Sequence, residues 1–234
     1  YVEAYSRGSK KKYSVSSING KIIDVEDVTV ENFEFANIHQ ENFNAIVLNM
    51  SLLEDITGHS VYGLIGYDVF AGYDICIDYQ ESFLTFIPAS GFMDYWNNNI
   101  INRNFSVVGF HMSSHIPVVK ALAGDKRILL GVDTGAAKTL IDKKTIDIIH
   151  YEMKDLSEKT LVGIDNKDQI IGSGKIRKIT VGDNDYHNIE ILIKDLSHIN
   201  DNISNKVDGL IGYDILKQHK TLISYKNQKF VFIE

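Results

Sequence analysis

The sequence has little of what several large functional classes require. Its 234 residues include one cysteine, Cys76, so no disulfide can form within the chain. No apolar run approaches the roughly 20 residues of a transmembrane helix. A formal net charge of −7 argues against a nucleic-acid surface. The sequence therefore predicts no membrane span and no nucleic-acid partner, in a chain apolar enough to bury a core.

Motifs for metal and serine chemistry are missing too. The sequence contains no His-Glu-x-x-His zinc motif and no Gly-x-Ser-x-Gly nucleophile elbow. His111 and His115 are spaced like metal ligands, but no third ligand lies nearby. Cys76 stands between Ile75 and Ile77, which is typical of a small buried residue rather than a nucleophile. We therefore expect no metal site and no cofactor.

The most informative stretch that is present runs from Ile128 to Ala137. An apolar run leads into Asp133, Thr134 and Gly135. This order predicts a buried strand that delivers one carboxylate to a tight turn, where Thr134 hydrogen-bonds locally and Gly135 turns without a Cβ clash. The tripeptide alone is also typical of an ordinary turn after a strand, so its meaning depends on the rest of the chain.

One hexapeptide occurs twice. Gly-Leu-Ile-Gly-Tyr-Asp stands at 63–68 and again at 209–214, an offset of 146 residues, and the apolar pattern downstream of both copies is the same. Such a repeat predicts an internal duplication. The surrounding runs are short and rich in Val, Ile, Phe and Tyr, which favours strands. The acids that end the two copies, Asp68 and Asp214, are predicted N-caps of short helices.

The duplication predicts two related lobes. We place an N-terminal lobe at residues 1–90, a linker at 91–103 and a C-terminal lobe at 104–234. Pro88, Gly91 and a run of asparagines predict a loop between the lobes.

These parts together resemble the pepsin/retropepsin family of aspartic peptidases, especially its bacterial two-lobe retropepsin-like type. The resemblance covers nearly the whole chain. It implies an all-β, two-lobe acid-protease fold with short helices, in which Asp133 is catalytic and Thr134 and Gly135 shape the active loop. It also implies that Leu210-Ile211-Gly212 forms a strand beside that loop, where a glycine permits close backbone approach.

The same resemblance implies a flap hairpin over 161–174 that closes on an extended peptide substrate. Its candidate substrate-binding residues are Ile164, Ile170, Ile171 and Gly172. The substrate would bind as an added strand, with its side chains in apolar pockets. The resemblance further implies an exported protein, monomeric, with a homodimer as the alternative.

The expected chemistry needs two carboxylates. They share one proton, since like charges a few ångströms apart cannot both ionise, and together they activate a water molecule. The N-terminal lobe shows no second Asp-Thr-Gly. From Gly124 to Thr180 there are 56 residues, whereas the matching interval from Gly8 to Thr29 has 21, so about 35 residues are missing from the first lobe.

Three explanations follow from this deficit. In the first, a segment absent from this sequence supplies the second aspartate, and the protein is an endopeptidase. In the second, the first lobe lacks its active loop, and the protein is an inactive relative that binds peptides. In the third, two chains pair, and each contributes one Asp133.

Overall fold

The computed structural model describes residues 5–7, 13–17, 20–35, 38–162 and 168–234. Strands dominate these ranges, and the helices are short, so the prediction of an all-β fold is confirmed. No helix within them is long and apolar enough to cross a membrane.

The described strands and helices are numbered here in chain order. The strands are β1 Tyr5–Arg7, β2 Tyr13–Ser17, β3 Gly20–Phe35, β4 Ile38–Val47, β5 Tyr73–Asp78, β6 Phe83–Pro88, β7 Phe105–Ser113, β8 Ile116–Ala123, β9 Lys126–Val132, β10 Thr139–Asp142, β11 Met153–Val162, β12 Asp168–Val181, β13 Asn184–Lys194, β14 Gly209–Ile211, β15 Lys220–Ser224 and β16 Lys229–Ile233. The α-helices are α1 Ser51–Thr57, α2 Tyr67–Phe70, α3 Phe92–Asn99, α4 Lys143–Ile149, α5 Ser197–Asn200 and α6 Tyr213–Leu216.

The chain divides into two compact units. The first contains residues 1–69 and 161–169, and the second contains residues 70–160 and 170–234. In the first unit, β3 pairs antiparallel with β1, β2 and β4. The lobes predicted from the repeated hexapeptide have different boundaries from these compact units, and they stay a prediction.

A twelve-stranded sheet organises the second unit. Its order is β11-β12-β13-β10-β14-β9-β8-β7-β16-β15-β5-β6, and β12 also pairs with β8. That extra pairing closes six strands, from β12 through β14 to β8, into a barrel. Outside the barrel, β11 neighbours β12, and the sheet continues from β8 through β7, β16, β15 and β5 to the edge strand β6. Because a closed circuit has no free edge, every strand within the barrel has two neighbours.

The main core is formed by residues of the barrel strands together with residues of β7, β15 and β16. Strand β8 alternates along its second half between buried and exposed residues, as expected for a strand with one face inward. Leu130, Ile141, Ile176 and Ile179 are fully buried in one cluster. Burial of each such side chain stabilises the fold by about 1.5–3 kcal/mol.

The predicted loop between the lobes is wrong over part of its length. Residues Phe92–Asn99 form α3 instead. Phe92, Tyr95 and Trp96 pack against a second buried cluster that includes Cys76. The i, i+3, i+4 spacing of these three rings puts them on one helix face, and their burial outweighs the poor helix propensity of the asparagines. Cys76 is only 1% exposed, which confirms its prediction as a buried residue.

Candidate active site

Asp133 stands at the end of a core strand, in a turn that its own side chain helps to close. Strand β9 ends at Val132, and the next residue, Asp133, donates its backbone N–H to the Ile211 carbonyl at 3.0 Å. The Gly135 N–H donates to Asp133 Oδ1 at 2.9 Å, and the Ala136 N–H donates to the Asp133 carbonyl at 3.2 Å. Asp133 is half-buried, while Thr134 and Gly135 are exposed. The turn therefore holds one carboxylate at the rim of the barrel.

Strand β14 fixes this loop from the side. It runs parallel to β9, with Ile211 beside Val132, and antiparallel to β10, with Leu210 beside Leu140. Leu210 is 3% exposed and Ile211 is 1% exposed. A three-residue strand so placed gains backbone hydrogen bonds on both edges and buries both of its large side chains.

Glycine is required at the first residue of β14 and at the residue that directly follows it. A Cβ at Gly212 would lie 2.6–2.8 Å from backbone atoms of Ala136 and Lys138, and one at Gly209 would lie 2.4 Å from the Leu140 carbonyl. These distances are shorter than any real Cβ contact, so only glycine allows the backbones to approach this closely. At Gly212, the approach is to the loop that follows Asp133.

Asp214 braces β10 rather than capping a helix. Helix α6 begins at Tyr213 with Gly212 as its N-cap, so the predicted N-cap position of Asp214 is wrong. Its carboxylate accepts the Thr139 N–H at 3.0 Å, the Thr139 hydroxyl at 2.8 Å and the Ile215 N–H at 3.1 Å. The Thr139 hydroxyl also accepts the Gly212 N–H at 3.3 Å. Because Thr139 is fully buried, this network fixes the start of β10 against β14.

Two more carboxylates, Asp208 before β14 and Asp142 at the end of β10, have structural partners. Asp208 Oδ2 accepts the Leu129 N–H of β9 at 2.7 Å, and Asp208 Oδ1 accepts the Thr145 hydroxyl at 3.2 Å. Asp142 caps α4 through the Lys144 N–H at 2.7 Å and also accepts the Leu196 N–H at 3.1 Å. Asp133 differs from these acids because, in the described ranges, its Oδ2 accepts no hydrogen bond from the protein.

Tyr213 carries an exposed aromatic ring directly after Gly212, whose backbone approaches the loop. The Tyr213 N–H donates to the Ala136 carbonyl at 2.7 Å, and its side chain is 42% exposed. The rings of Tyr79 and Tyr213 meet edge-on, with their centroids 5.4 Å apart. The Lys217 ammonium lies 5.0 Å from the centroid of the Tyr213 ring. Burial, with a smaller contribution from Tyr213, raises the pKa of Tyr79 to about 12. The sequence repeat marked Tyr213, but not its position beside the loop.

The predicted flap falls on β11 and β12, which are neighbours in the sheet and flank residues 163–167. Ile164 lies outside the described residues, and Ile170 belongs to β12. Ile171 is 4% exposed, so its side chain is buried. Gly172 is opposite Ile193, and a Cβ there would lie 3.0 Å from the Ile193 Cβ. Substrate binding by these residues stays a prediction.

The described ranges contain no group of three or more His, Cys, Asp or Glu side chains arranged to hold a metal ion. The candidate site is thus an Asp-Thr-Gly turn at the rim of a closed β-barrel. It is fixed by the inserted strand β14, which is followed directly by Gly212.

Comparison with known proteins finds a similarity in this part of the chain. Residues 119–215 match the family model described as Aspartyl protease, and they include the Asp133 turn and β14. The match spans 97 of the 234 residues and agrees with the resemblance to aspartic peptidases that the sequence predicts. Among solved structures, a retropepsin-like aspartic protease from Rickettsia conorii matches with 14% identity and a TM-score of 0.39, over 56% of this chain and 89% of that one. No curated protein sequence matches the chain.

Proposed function

We propose that the protein is an aspartic endopeptidase, with Asp133 as one member of a catalytic pair. The observation that supports this most is the state of the Asp133 carboxylate. Oδ1 accepts the Gly135 N–H, while Oδ2 has no protein partner in the described ranges. One oxygen is therefore oriented, and the other is free to bind a water molecule or a substrate carbonyl.

The second aspartate belongs, in this proposal, to a segment that is absent from the first lobe. With both present, one carboxylate removes a proton from the bound water, which attacks the peptide carbonyl, while the other donates its proton to the carbonyl oxygen. The proton taken from the water then passes to the leaving amine as the C–N bond breaks, and the hydroxyl proton of the intermediate returns to the other carboxylate. Because the pair holds a single proton, it titrates as a unit, and we expect an acidic optimum.

The substrate in this proposal is an extended peptide. It would add as a strand beneath the β11–β12 ribbon, where its backbone is recognised by hydrogen bonds and its side chains by apolar pockets. Ile164, Ile170, Ile171 and Gly172 remain the proposed flap residues. The exposed ring of Tyr213, which immediately follows the loop contact, is suited to line a pocket for an apolar side chain.

The test measures whether the natural polypeptide cleaves a denatured protein substrate at acidic pH, with and without pepstatin. We expect pepstatin to block cleavage and Asp133→Asn to abolish it. Asp125→Asn is the matched control, because Asp125 is an exposed acid in the β8–β9 turn and should leave activity unchanged. Cleavage that survives Asp133→Asn would contradict the proposal.

A second candidate is an inactive relative that binds peptides. It is favoured by one observation, that the 234 residues contain a single Asp-Thr-Gly. A single carboxylate cannot both accept a proton from the water and donate one to the substrate carbonyl in the same step. This candidate predicts peptide binding without cleavage at any acidic pH. A homodimer that pairs two Asp133 side chains would instead show activity that rises with the square of protein concentration.

A further inference from the structure

A cavity of about 280 Å³ lies on the barrel where β8 pairs with both β9 and β12. Arg127, at the start of β9, is one of its lining residues, whereas Asp133 follows the end of that strand. Six residues of extended chain separate these two positions by about 20 Å. The cavity is therefore distinct from the candidate active site. Its lining residues are Lys120, Ala121, Leu122, Arg127, Thr180 and Gly182.

The alternation of the strands shows which side chains face the cavity. Ala121 of β8 and Ile128 of β9 are buried in the main core. Their neighbours Lys120, Leu122 and Arg127 are exposed. Because successive side chains of a strand point to opposite faces, these three lie together on the solvent side of the barrel wall.

The pairing register brings two cations together on that side. Leu122 is opposite Arg127 of β9 and also opposite Thr180 of β12. Lys120 precedes Leu122 by two residues on the same face, so it is a diagonal neighbour of Arg127. Diagonal positions on paired strands are about 7–8 Å apart, within reach of long side chains. The ammonium and the guanidinium can thus converge on one group beside Leu122.

This pair of cations has no acidic partner in the part of the chain that the structure describes. There, neither Lys120 nor Arg127 makes a hydrogen bond or an ion pair. The adjacent Lys126, by contrast, lies 3.4 Å from an oxygen of Asp125. The chain has 31 Asp and Glu residues against 24 Lys and Arg residues, so an unpaired couple of neighbouring cations runs against its composition. Their mutual repulsion disfavours this arrangement unless an anion joins them.

The acid that follows in the same row is already engaged. Asp185 of β13 is opposite Thr180 of β12. Its Oδ1 accepts the Thr180 hydroxyl at 2.6 Å, and its Oδ2 lies 2.7 Å from the Lys178 ammonium. Both carboxylate oxygens therefore have partners, and Asp185 leaves the charge of the two cavity cations uncompensated.

We propose that the cavity binds a phosphate group, either as inorganic phosphate or as part of an organic phosphate monoester. The Arg127 guanidinium donates two parallel hydrogen bonds to phosphate oxygens, and Lys120 adds a point charge. A phosphate monoester carries a charge of about −1.5 to −2 at pH 7, which two cations match. Leu122, which is 40% exposed, contacts the apolar part of a monoester. This inference goes beyond the proposed function and does not depend on it.

The test follows backbone amide chemical shifts of the isotopically labelled chain during titration with inorganic phosphate and, separately, with phenyl phosphate. A salt concentration of about 0.15 M screens distant charges, because the Debye length is then about 8 Å. We expect saturable shifts at 120–122, 127 and 180–182, with a Kd of about 1 mM, as a few charge-assisted hydrogen bonds provide. Shifts that do not saturate, or that are spread over all exposed lysines, would overturn the proposal.

Three variants separate this site from the general charge of the surface. Lys120→Gln and Arg127→Gln each remove one cation from an exposed position, so both should fold, and each should weaken binding at least fivefold. Lys126→Gln is the matched control, because Lys126 is exposed and adjacent to Arg127 but does not line the cavity. It should change the Kd less than twofold. Equal weakening by all three variants would overturn the proposal.

The choice of ligand tests the charge and the source of the bound group. Acetate carries a single charge and should bind at least tenfold more weakly than phosphate, and equal binding would contradict a site for a dianion. Tighter binding of phenyl phosphate than of inorganic phosphate would assign the site to an organic monoester in contact with Leu122. Equal binding of the two would assign it to free phosphate, and either result supports the phosphate site.

Discussion

Two identical hexapeptides in one chain adopt different structures. At 209–214 the residues form a buried strand and the first turn of a helix, whereas at 63–66 they lie in no strand and expose Leu64. Intrinsic propensity cannot explain the difference, because the sequences are the same. Strand formation here depends on the flanking strands β9 and β10, which agrees with the strong context dependence of β propensity.

The largest expected effect tests the burial of leucine in the two copies. Leu210→Ala removes a side chain that is 3% exposed, so we expect it to destabilise the 234-residue chain by about 2–5 kcal/mol. Leu64→Ala, at a position 67% exposed, should change stability by less than about 0.5 kcal/mol. Urea unfolding of both variants measures this. Equal losses would mean that the two copies are covered alike.

The second effect concerns the glycine that ends each apolar pair. Gly212→Ala forces a Cβ against backbone atoms of Ala136 and Lys138 in the loop after Asp133, and we expect a loss of about 1–3 kcal/mol or more. At Gly66 the nearest atom is Asp68 Oδ1 at 3.0 Å, the end of an exposed side chain that can move away. Gly66→Ala should therefore change the urea midpoint little. A large loss at Gly66 would reveal backbone packed against the first copy.

A third comparison uses the acid that ends each copy. Asp214→Asn replaces one oxygen acceptor by an NH2 group that faces the N–H and hydroxyl donors of Thr139, which should cost about 1–3 kcal/mol. Asp68 is exposed, so Asp68→Asn should be nearly neutral. Thermal unfolding of the two variants at pH 7 provides the measurement. If Asp214→Asn is also neutral, the contact with Thr139 contributes little to stability.

The smallest effect is a pH dependence that only the second copy should show. Burial lowers the pKa of His219, partly offset by Glu234, and the equivalent position in the first copy is Tyr73. Below the ordinary pKa of about 6.5, the unfolded chain binds a proton that folded His219 resists, so its contribution to stability falls as the pH drops. His219→Gln should flatten the fall in unfolding free energy between pH 7.5 and 5.5. An unchanged slope would assign that fall to other groups.

The sequence predicted the parts of the candidate site that depend on local order. An apolar run followed by Asp-Thr-Gly predicted the strand and turn at Asp133, and Gly212 was predicted to permit close backbone approach, whereas the similar need for glycine at 209 was missed. The bracing role of Asp214 was missed, because its partner Thr139 is 75 residues away and a buried threonine has no distinctive local pattern. Helix α3 was missed because its run of asparagines favoured a loop, while the helical spacing of its three aromatic rings was overlooked.

Because β14 lies between β9 and β10, the Asp133 turn can be completed only after β14 has been synthesised. The carbonyl that accepts the Asp133 N–H belongs to Ile211, which leaves the ribosome 78 residues after Asp133. At translation rates of about 5–20 residues per second, this delay is roughly 4–16 s. During that interval β9 and β10 have no strand between them, so the carboxylate is not yet held in place. A nascent or truncated chain that ends before β14 therefore lacks the contacts that fix the Asp133 turn.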